Sequence, residues 1–253
     1  MTRRPFHSDT ITFVDTPLRA ALVTGGTRGI GFAVARRLAR DGFAVAISGQ
    51  SEASVREGLQ RLREAVPSSR LAGRPADARR EEDQRALVDW TAETLGRLDV
   101  LVNNAGIGDF GAVDELEPER FRAVVETNLF GPYYATHFAV PLMKRSGGGF
   151  IVNIGSLAGV NAFAGGSAYN ASKFGLLGFS EASMLDLRHQ GIRVAAILPG
   201  SVATEFGHSH GSRDHSWMLS ADDVAEAVSD LIRFPDRAIA SRIDLRPSRP
   251  PKR

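Results

Sequence analysis

The sequence predicts an α/β fold: one doubly wound parallel sheet of about seven strands in the order 3-2-1-4-5-6-7, with helices on both faces. Three observations predict it. Short apolar, β-rich runs alternate with longer stretches of helical spacing along the 253 residues, as βαβ units require. The first run feeds a glycine-rich turn, Thr24-Gly25-Gly26-Thr27-Arg28-Gly29-Ile30-Gly31, that opens a helix. The third run carries Arg74 and Pro75, which are awkward inside a sheet but tolerable on the edge strand that this order makes it.

In chain order, the expected strands are residues 20–24, 43–48, 71–76, 100–103, 149–154, 192–198 and 238–245. The expected helices are 30–41, 51–66, 81–95, 118–145, 167–190 and 221–234, with Gly42, Gly96 and Gly191 as C-terminal stops. Every crossover is then a helix. Ragged, proline-bearing ends bracket this middle, so the chain divides into an N-terminal extension (1–18), one domain (19–246) and a basic, Pro-rich tail (247–253). No repeat of fixed period is present.

Composition narrows the chemistry. With no cysteine, the chain has no thiolate nucleophile, disulfide framework or Cys-ligated metal. No apolar run approaches the roughly 20 residues of a membrane span, and no apolar stretch follows the basic N-terminus, so a cytoplasmic location is expected. The pI of about 9.3 raises a nucleic-acid reading. The last twelve residues carry Arg242, Arg246, Arg249, Lys252 and Arg253 against Asp244, so they hold +4 and leave the body at −2 of the chain's net +2. Neither nucleic acid nor membrane is therefore an expected partner. Lysine occurs only at Lys144, Lys173 and Lys252.

The glycine turn suits a dinucleotide. A glycine lets the backbone bend, another lets it approach a pyrophosphate, and a third allows close helix packing, while the helix N-terminus offers N–H groups. Its G-x-x-x-G-x-G spacing is neither G-x-G-x-x-G nor a P-loop. At the end of the second strand, Ser48-Gly49-Gln50-Ser51 holds no acid to bind a free ribose 2′-hydroxyl, and Arg28 lies on the side where a 2′-phosphate would sit. NADP(H) is the preferred cofactor, with NAD(H) as the other possibility.

A second constellation carries acid–base chemistry. Tyr169 and Lys173, four apart on a helix, share a face, so an ammonium beside the phenol is expected to lower its pKa. Each unit corresponds to roughly 1.4 kcal/mol. Such a tyrosine can act as general acid or base.

Together with Asn103-Asn104-Ala105-Gly106, Asn128, Ser156, and Pro199-Gly200 with Thr204, these motifs resemble the short-chain dehydrogenase/reductase family over about residues 20–228. The core is similar to 3-oxoacyl-carrier-protein reductases. The resemblance implies a Rossmann-like oxidoreductase in which Tyr169 exchanges a proton with the substrate oxygen, Ser156 holds that oxygen, Lys173 tunes Tyr169 and holds the nicotinamide ribose, and Asn128 supports a proton relay. Cofactor contacts implied in the same way are Gly25, Thr27, Arg28, Gly29, Ile30, Gly31, Gly49, Gln50, Asp77, Ala78, Asn104, Ala105, Gly106, Tyr169, Lys173, Pro199, Gly200, Val202 and Thr204. Asp77 would hold the adenine amino group, and Asn104, Ala105 and Gly106 would line its ribose.

A substrate lid is expected over about 205–219, with Phe206, Trp217 and Met218 as apolar contacts; Ser156, Leu157, Phe163 and Tyr169 complete the pocket. His208, His210 and His215 lack a metal-binding frame, and no metal is expected. The walls suit an uncharged or acyl-bearing carbonyl, and a 3-oxoacyl thioester, possibly carrier-bound, is the first substrate to consider. The absence of the V-D-G-G segment of such reductases after the last strand weighs against it and against a tetramer. A homodimer through the two long helices is the safer assembly. Two alternatives stand beside this: a general or small-metabolite carbonyl reductase of the same family, and a non-catalytic NADP-sensing protein. An extended-branch epimerase would need a longer C-terminal part.

Overall fold

The computed structural model describes residues 18–206 and 215–251. Most of the expected N-terminal extension, the middle of the expected lid with His208 and His210, and the last two residues of the tail lie outside the described residues.

Seven parallel strands form one sheet: β1 (Ala20–Val23), β2 (Ala44–Gly49), β3 (Leu71–Pro75), β4 (Val100–Asn103), β5 (Gly149–Ile154), β6 (Ile192–Pro199) and β7 (Arg242–Leu245). Their order is β3-β2-β1-β4-β5-β6-β7, as expected. The inner strands are buried on both faces, which is why they read as unbroken apolar runs. β3 and β7 are the part-exposed edges, and Pro75 ends β3 where its missing N–H costs no ladder bond. β7 begins later than expected because residues 235–238 close a turn, with Ala238 N–H donating to the Pro235 carbonyl at 2.8 Å.

Helices α1 (Gly29–Arg40), α2 (Glu52–Ala65) and α7 (Ala221–Arg233) pack on one face. On the other lie α3 (Glu81–Leu95), α5 (Gly131–Arg145) and the end of α6 (Ser167–Leu187). Gly96 ends α3 in the left-handed region at φ 87°, where a side chain would cost roughly 1–2 kcal/mol. Among the described residues, no helix is long and apolar enough to cross a membrane.

The stretch 118–145 departs from the single helix expected of it. α4 (Pro118–Val125) leads into a π-helical turn, Glu126–Phe130, before α5 begins. Two local causes coincide. Pro132 has no N–H, so the Asn128 carbonyl lacks its usual i+4 donor. The Asn128 side chain also grips the loop after β4, accepting from Ile107 N–H at 2.8 Å and donating to the Ile107 carbonyl at 2.9 Å.

Buried carboxamides tie the next helices to the sheet. Asn103 and Asn153 are register partners on β4 and β5, joined at 2.8 Å. Asn103 also donates to Thr136 on α5, and Asn153 donates to Ser180 on α6. The catalytic candidates on α6 are thereby held against the C-terminal ends of the central strands, where ligands of open parallel sheets bind.

Candidate active site

The glycine turn after β1 packs against the segment after β4. Asn104 donates its amide to the carbonyls of Thr24 and Gly25, both at 3.0 Å. Thr24 Oγ1 accepts from Asn104 N–H at 3.0 Å and Ala105 N–H at 3.1 Å. Gly25 sits at φ +62° with a Cβ position only 2.9 Å from Ala105 Cα, and a Cβ at Gly31 would collide with the Gly25 carbonyl and the Asn104 amide. These positions admit no side chain. Asn104, expected to line a ribose, spends its amide on this turn.

Arg28 is the extended N-cap of α1, and no side chain caps that helix or places an acid in its first turn. Its first N–H groups therefore form a cradle for an anion. Thr204, after β6, lies 3.6 Å from where a Gly29 Cβ would be, so it borders the cradle. The exposed Arg28 guanidinium reaches Glu205 at 3.4 Å. Gly49 ends β2 hard against Thr27, Gln50 is exposed, and Ser51 caps α2 through a reciprocal pair with Ser54. Ile30 packs against the core. Val202 bridges to Leu219, and Gly200 N–H donates to the Leu245 carbonyl at 2.8 Å, which fixes the strand exit that begins at Pro199.

Asp77 shows a commitment the sequence did not suggest. Arg79 binds both carboxylate oxygens, at 3.0 and 2.6 Å, and holds the Asp77 carboxyl below its usual range. Ala78 rests on Gly131, at the start of α5. Gly106 faces the Asn128 carboxamide oxygen.

The catalytic candidates converge between β5 and α6. Ser156 follows β5 as the N-cap of a single 3-10 turn, its hydroxyl accepting from Ala158 N–H at 3.1 Å and acting to lower the pKa of the Tyr169 phenol. Lys173, one turn along α6 from Tyr169, is buried and donates to the Ile154 carbonyl at 2.9 Å, with its Nζ 5.8 Å from the tyrosine ring centre. Burial lowers its pKa to about 8. The expected lowering of the phenol by Lys173 is reversed here. Burial pushes the Tyr169 pKa up, the Ser156 hydrogen bond only partly offsets it, and the ammonium is directed at a carbonyl. Asn128 reaches the site indirectly: it donates at 3.0 Å to Ser172, whose hydroxyl donates to the Tyr169 carbonyl at 2.8 Å.

Three contributors escaped the sequence reading. Ser172 links Asn128 to the tyrosine backbone. Asn170 donates to the carbonyls of Ala158 at 2.7 Å and Asn161 at 3.3 Å and accepts from Phe163 N–H at 3.3 Å, stitching the Ser156 loop to α6. Phe110 meets the Tyr169 ring edge-on at 5.6 Å and 65°. Polar residues on the buried side of a helix are a signal for the first two; Phe110 has none.

The expected pocket residues divide. Phe206 lies 5.9 Å from the Tyr169 ring, and Phe163 reaches Phe110 at 5.9 Å. Leu157 packs toward Gly200. Among the described residues Trp217 makes no ring contact with Tyr169; it sits in a turn closed by Met218 N–H on the His215 carbonyl, and Phe110 supplies the aromatic wall in its place. His215 lies against Met218 at 3.4 Å.

The glycine-rich turn, the uncapped helix terminus and Thr204 beside it fit a dinucleotide. The family model described as short chain dehydrogenase matches residues 19–215. A 3alpha-hydroxysteroid dehydrogenase of Mediterraneibacter gnavus is 34% identical over 187 residues, 74% of this chain and 75% of that protein. A solved variant of actinorhodin polyketide ketoreductase with NADPH superposes with a TM-score of 0.84 at 34% identity, over 91% of this chain and 96% of that one. An alcohol dehydrogenase from the archaeon Thermococcus sibiricus, complexed with 5-hydroxy-NADP, gives 0.84 at 28% identity, over 93% and 100%.

Proposed function

This chain belongs to the short chain dehydrogenase family and is an oxidoreductase, and we propose that it interconverts a ketone or aldehyde carbonyl and its alcohol with NADP(H), using Tyr169 as general acid and base. The observation that carries the reading is the grouping of Ser156, which acts to lower the Tyr169 pKa, with Tyr169 and with buried Lys173 one turn along α6, beside the uncapped N-terminus of α1 as the anion cradle. When bound, the nicotinamide supplies or accepts the hydride.

The chain's own residues handle the proton. A phenol kept neutral by burial is a proton donor at neutral pH, which suits the reductive direction. Its proton passes to the substrate oxygen as negative charge develops there, while the Ser156 hydroxyl positions that oxygen. Lys173, its ammonium on the Ile154 carbonyl and 5.8 Å from the ring centre, is the nearby cation that would turn toward the phenolate left behind. Asn128 and Ser172 act as positioning residues on the Tyr169 backbone.

Preference for NADP(H) is supported by Arg28 at the cradle and by Ser48-Gly49-Gln50-Ser51, which holds no acid. The exposed Phe121, Phe130, Tyr133, Phe174 and Leu185 on α4, the π turn, α5 and α6 support a homodimer through this face.

The reading is tested by steady-state oxidation of NADPH and NADH with a panel of ketones, aldehydes and one 3-oxoacyl thioester. Turnover of at least one carbonyl is expected, with NADPH preferred by about tenfold or more, the worth of one charge-assisted contact of roughly 1.4 kcal/mol. No oxidation of either cofactor with any carbonyl overturns it.

A further inference from the structure

We infer that Phe110 is a specificity-determining residue: with Phe206 and Phe163 it forms an aromatic collar over Tyr169 that receives a flat apolar ring carrying the reacting carbonyl. The inference rests on the reading of Tyr169 as the acid–base residue.

Its first support is convergence. Phe110 comes from the loop after β4, Phe163 from the loop before α6 and Phe206 from the segment after β6. Phe110 and Phe206 each meet the Tyr169 ring, at 5.6 and 5.9 Å, and Phe163 extends the wall from Phe110 at 5.9 Å. The two outer rings close on one point. A Cβ at Gly108 would lie 2.9 Å from Phe206 and 3.0 Å from Phe110, so that glycine makes room for both.

The second support is exposure. Phe110, Phe206 and Phe163 are 42, 44 and 47% exposed and are linked to one another through Phe110 and Tyr169, so they form a contiguous apolar patch rather than scattered surface residues. Apolar surface is thus held open around the one phenol that needs a substrate, and ring faces and edges favour a flat partner through offset or edge-on contact.

The third is preorganisation. On one side of Phe110, both oxygens of Asp109 are taken by Arg120 at the start of α4, one of them by Nε at 2.8 Å. On the other side, Gly111 N–H donates to the Gly165 carbonyl at 2.9 Å, and Gly111 bridges to Gly166. The loop is pinned on both flanks of the ring, so little ordering is left for substrate binding to supply. A rigid ring also gives up less rotamer freedom on entering than an open chain of similar size. The collar supplies no hydrogen-bond donor, which leaves the carbonyl at Ser156 and Tyr169 as the polar point of contact.

The experiment compares α-tetralone, a flat fused-ring ketone, with an open-chain octanone in the full-length protein. Both kcat/KM with NADPH and the rise in melting temperature on adding each ketone in the presence of NADPH are measured. The expected result is a preference for α-tetralone in both readouts. Phe110→Ala should raise KM for α-tetralone about tenfold more than KM for octanone, while Phe110→Tyr keeps the wild-type ratio and Phe110→Leu, which restores bulk without a ring face, does not. An unchanged ratio in Phe110→Ala, or wild-type behaviour in Phe110→Leu, overturns the inference. Turnover of both ketones without preference overturns the collar and leaves the oxidoreductase reading intact. A thermal shift specific to α-tetralone without turnover of either ketone upholds the collar as a ring-binding site, and the oxidoreductase reading is overturned only when the whole carbonyl panel also fails. If α-tetralone gives neither turnover nor shift, the collar is overturned.

Discussion

The two halves of the site are built in opposite ways. The cofactor half, from the glycine turn to the segment after β4, is backbone packed on backbone, with glycines at 25 and 31 where a Cβ would meet the neighbouring main chain. The substrate half is side chains on three loops, with three large rings left partly exposed. One half holds a ligand common to many reactions and tolerates no change of shape. The other presents replaceable walls around a fixed phenol. Substitutions in the first should therefore damage folding and cofactor binding together, and those in the second should redistribute substrates.

The largest effect is expected at the contact between the glycine turn and the segment after β4. Gly31→Ala forces a methyl group into the Gly25 carbonyl and the Asn104 amide, and should cost about 3 kcal/mol in urea unfolding together with loss of NADPH binding. Normal stability with normal NADPH affinity would show that this contact is not tight.

Lys173 makes a pH prediction of similar size. Its folded pKa of about 8 lies below the ordinary 10.5, so between those values the unfolded chain binds the extra proton and stability rises with pH. Lys173→Met should then be more stable than wild type at pH 7 by on the order of 3 kcal/mol, with the gap closing as pH approaches 10. A gap that stays constant across this range would mean that the lysine carries no burial penalty.

A middle-sized effect belongs to the seam between the halves. Asn170→Ala removes three hydrogen bonds that hold the Ser156 loop to α6, and should cost roughly 2 kcal/mol and lower kcat more than it raises KM for NADPH. The smallest concerns the cradle's exposed arginine. Arg28→Ala should raise KM for NADPH about tenfold and leave KM for NADH nearly unchanged, since its partner Glu205 is equally exposed and the pair adds little stability. Equal rises for both cofactors would remove Arg28 from 2′-phosphate recognition.

What could be read ahead of the structure follows the same division. Sheet order was available because strands buried on both faces are continuous apolar runs, and because Arg74 and Pro75 mark an edge. Tyr169 and Lys173 could be paired because helical spacing is a local property, whereas Ser156 was singled out by the family resemblance that the motifs carry together. The π turn was missed because it needs both Pro132 and the grip of Asn128 on Ile107, 21 residues away. Phe110 was invisible because only the folded loop brings it to Tyr169. The direction of the phenol's pKa was misjudged because spacing brings Lys173 near but does not say that its ammonium turns to Ile154 or how deeply the ring is covered.

The most direct test of the account is carbonyl reduction by Tyr169→Phe, measured beside wild type, with NADPH binding followed by nucleotide fluorescence in both. The variant removes only the phenolic hydroxyl. NADPH should bind within about twofold of wild type while kcat falls on the order of a thousandfold, within the range for loss of a general acid. Undiminished turnover with intact binding would contradict the assignment of Tyr169 and, with it, the mechanism.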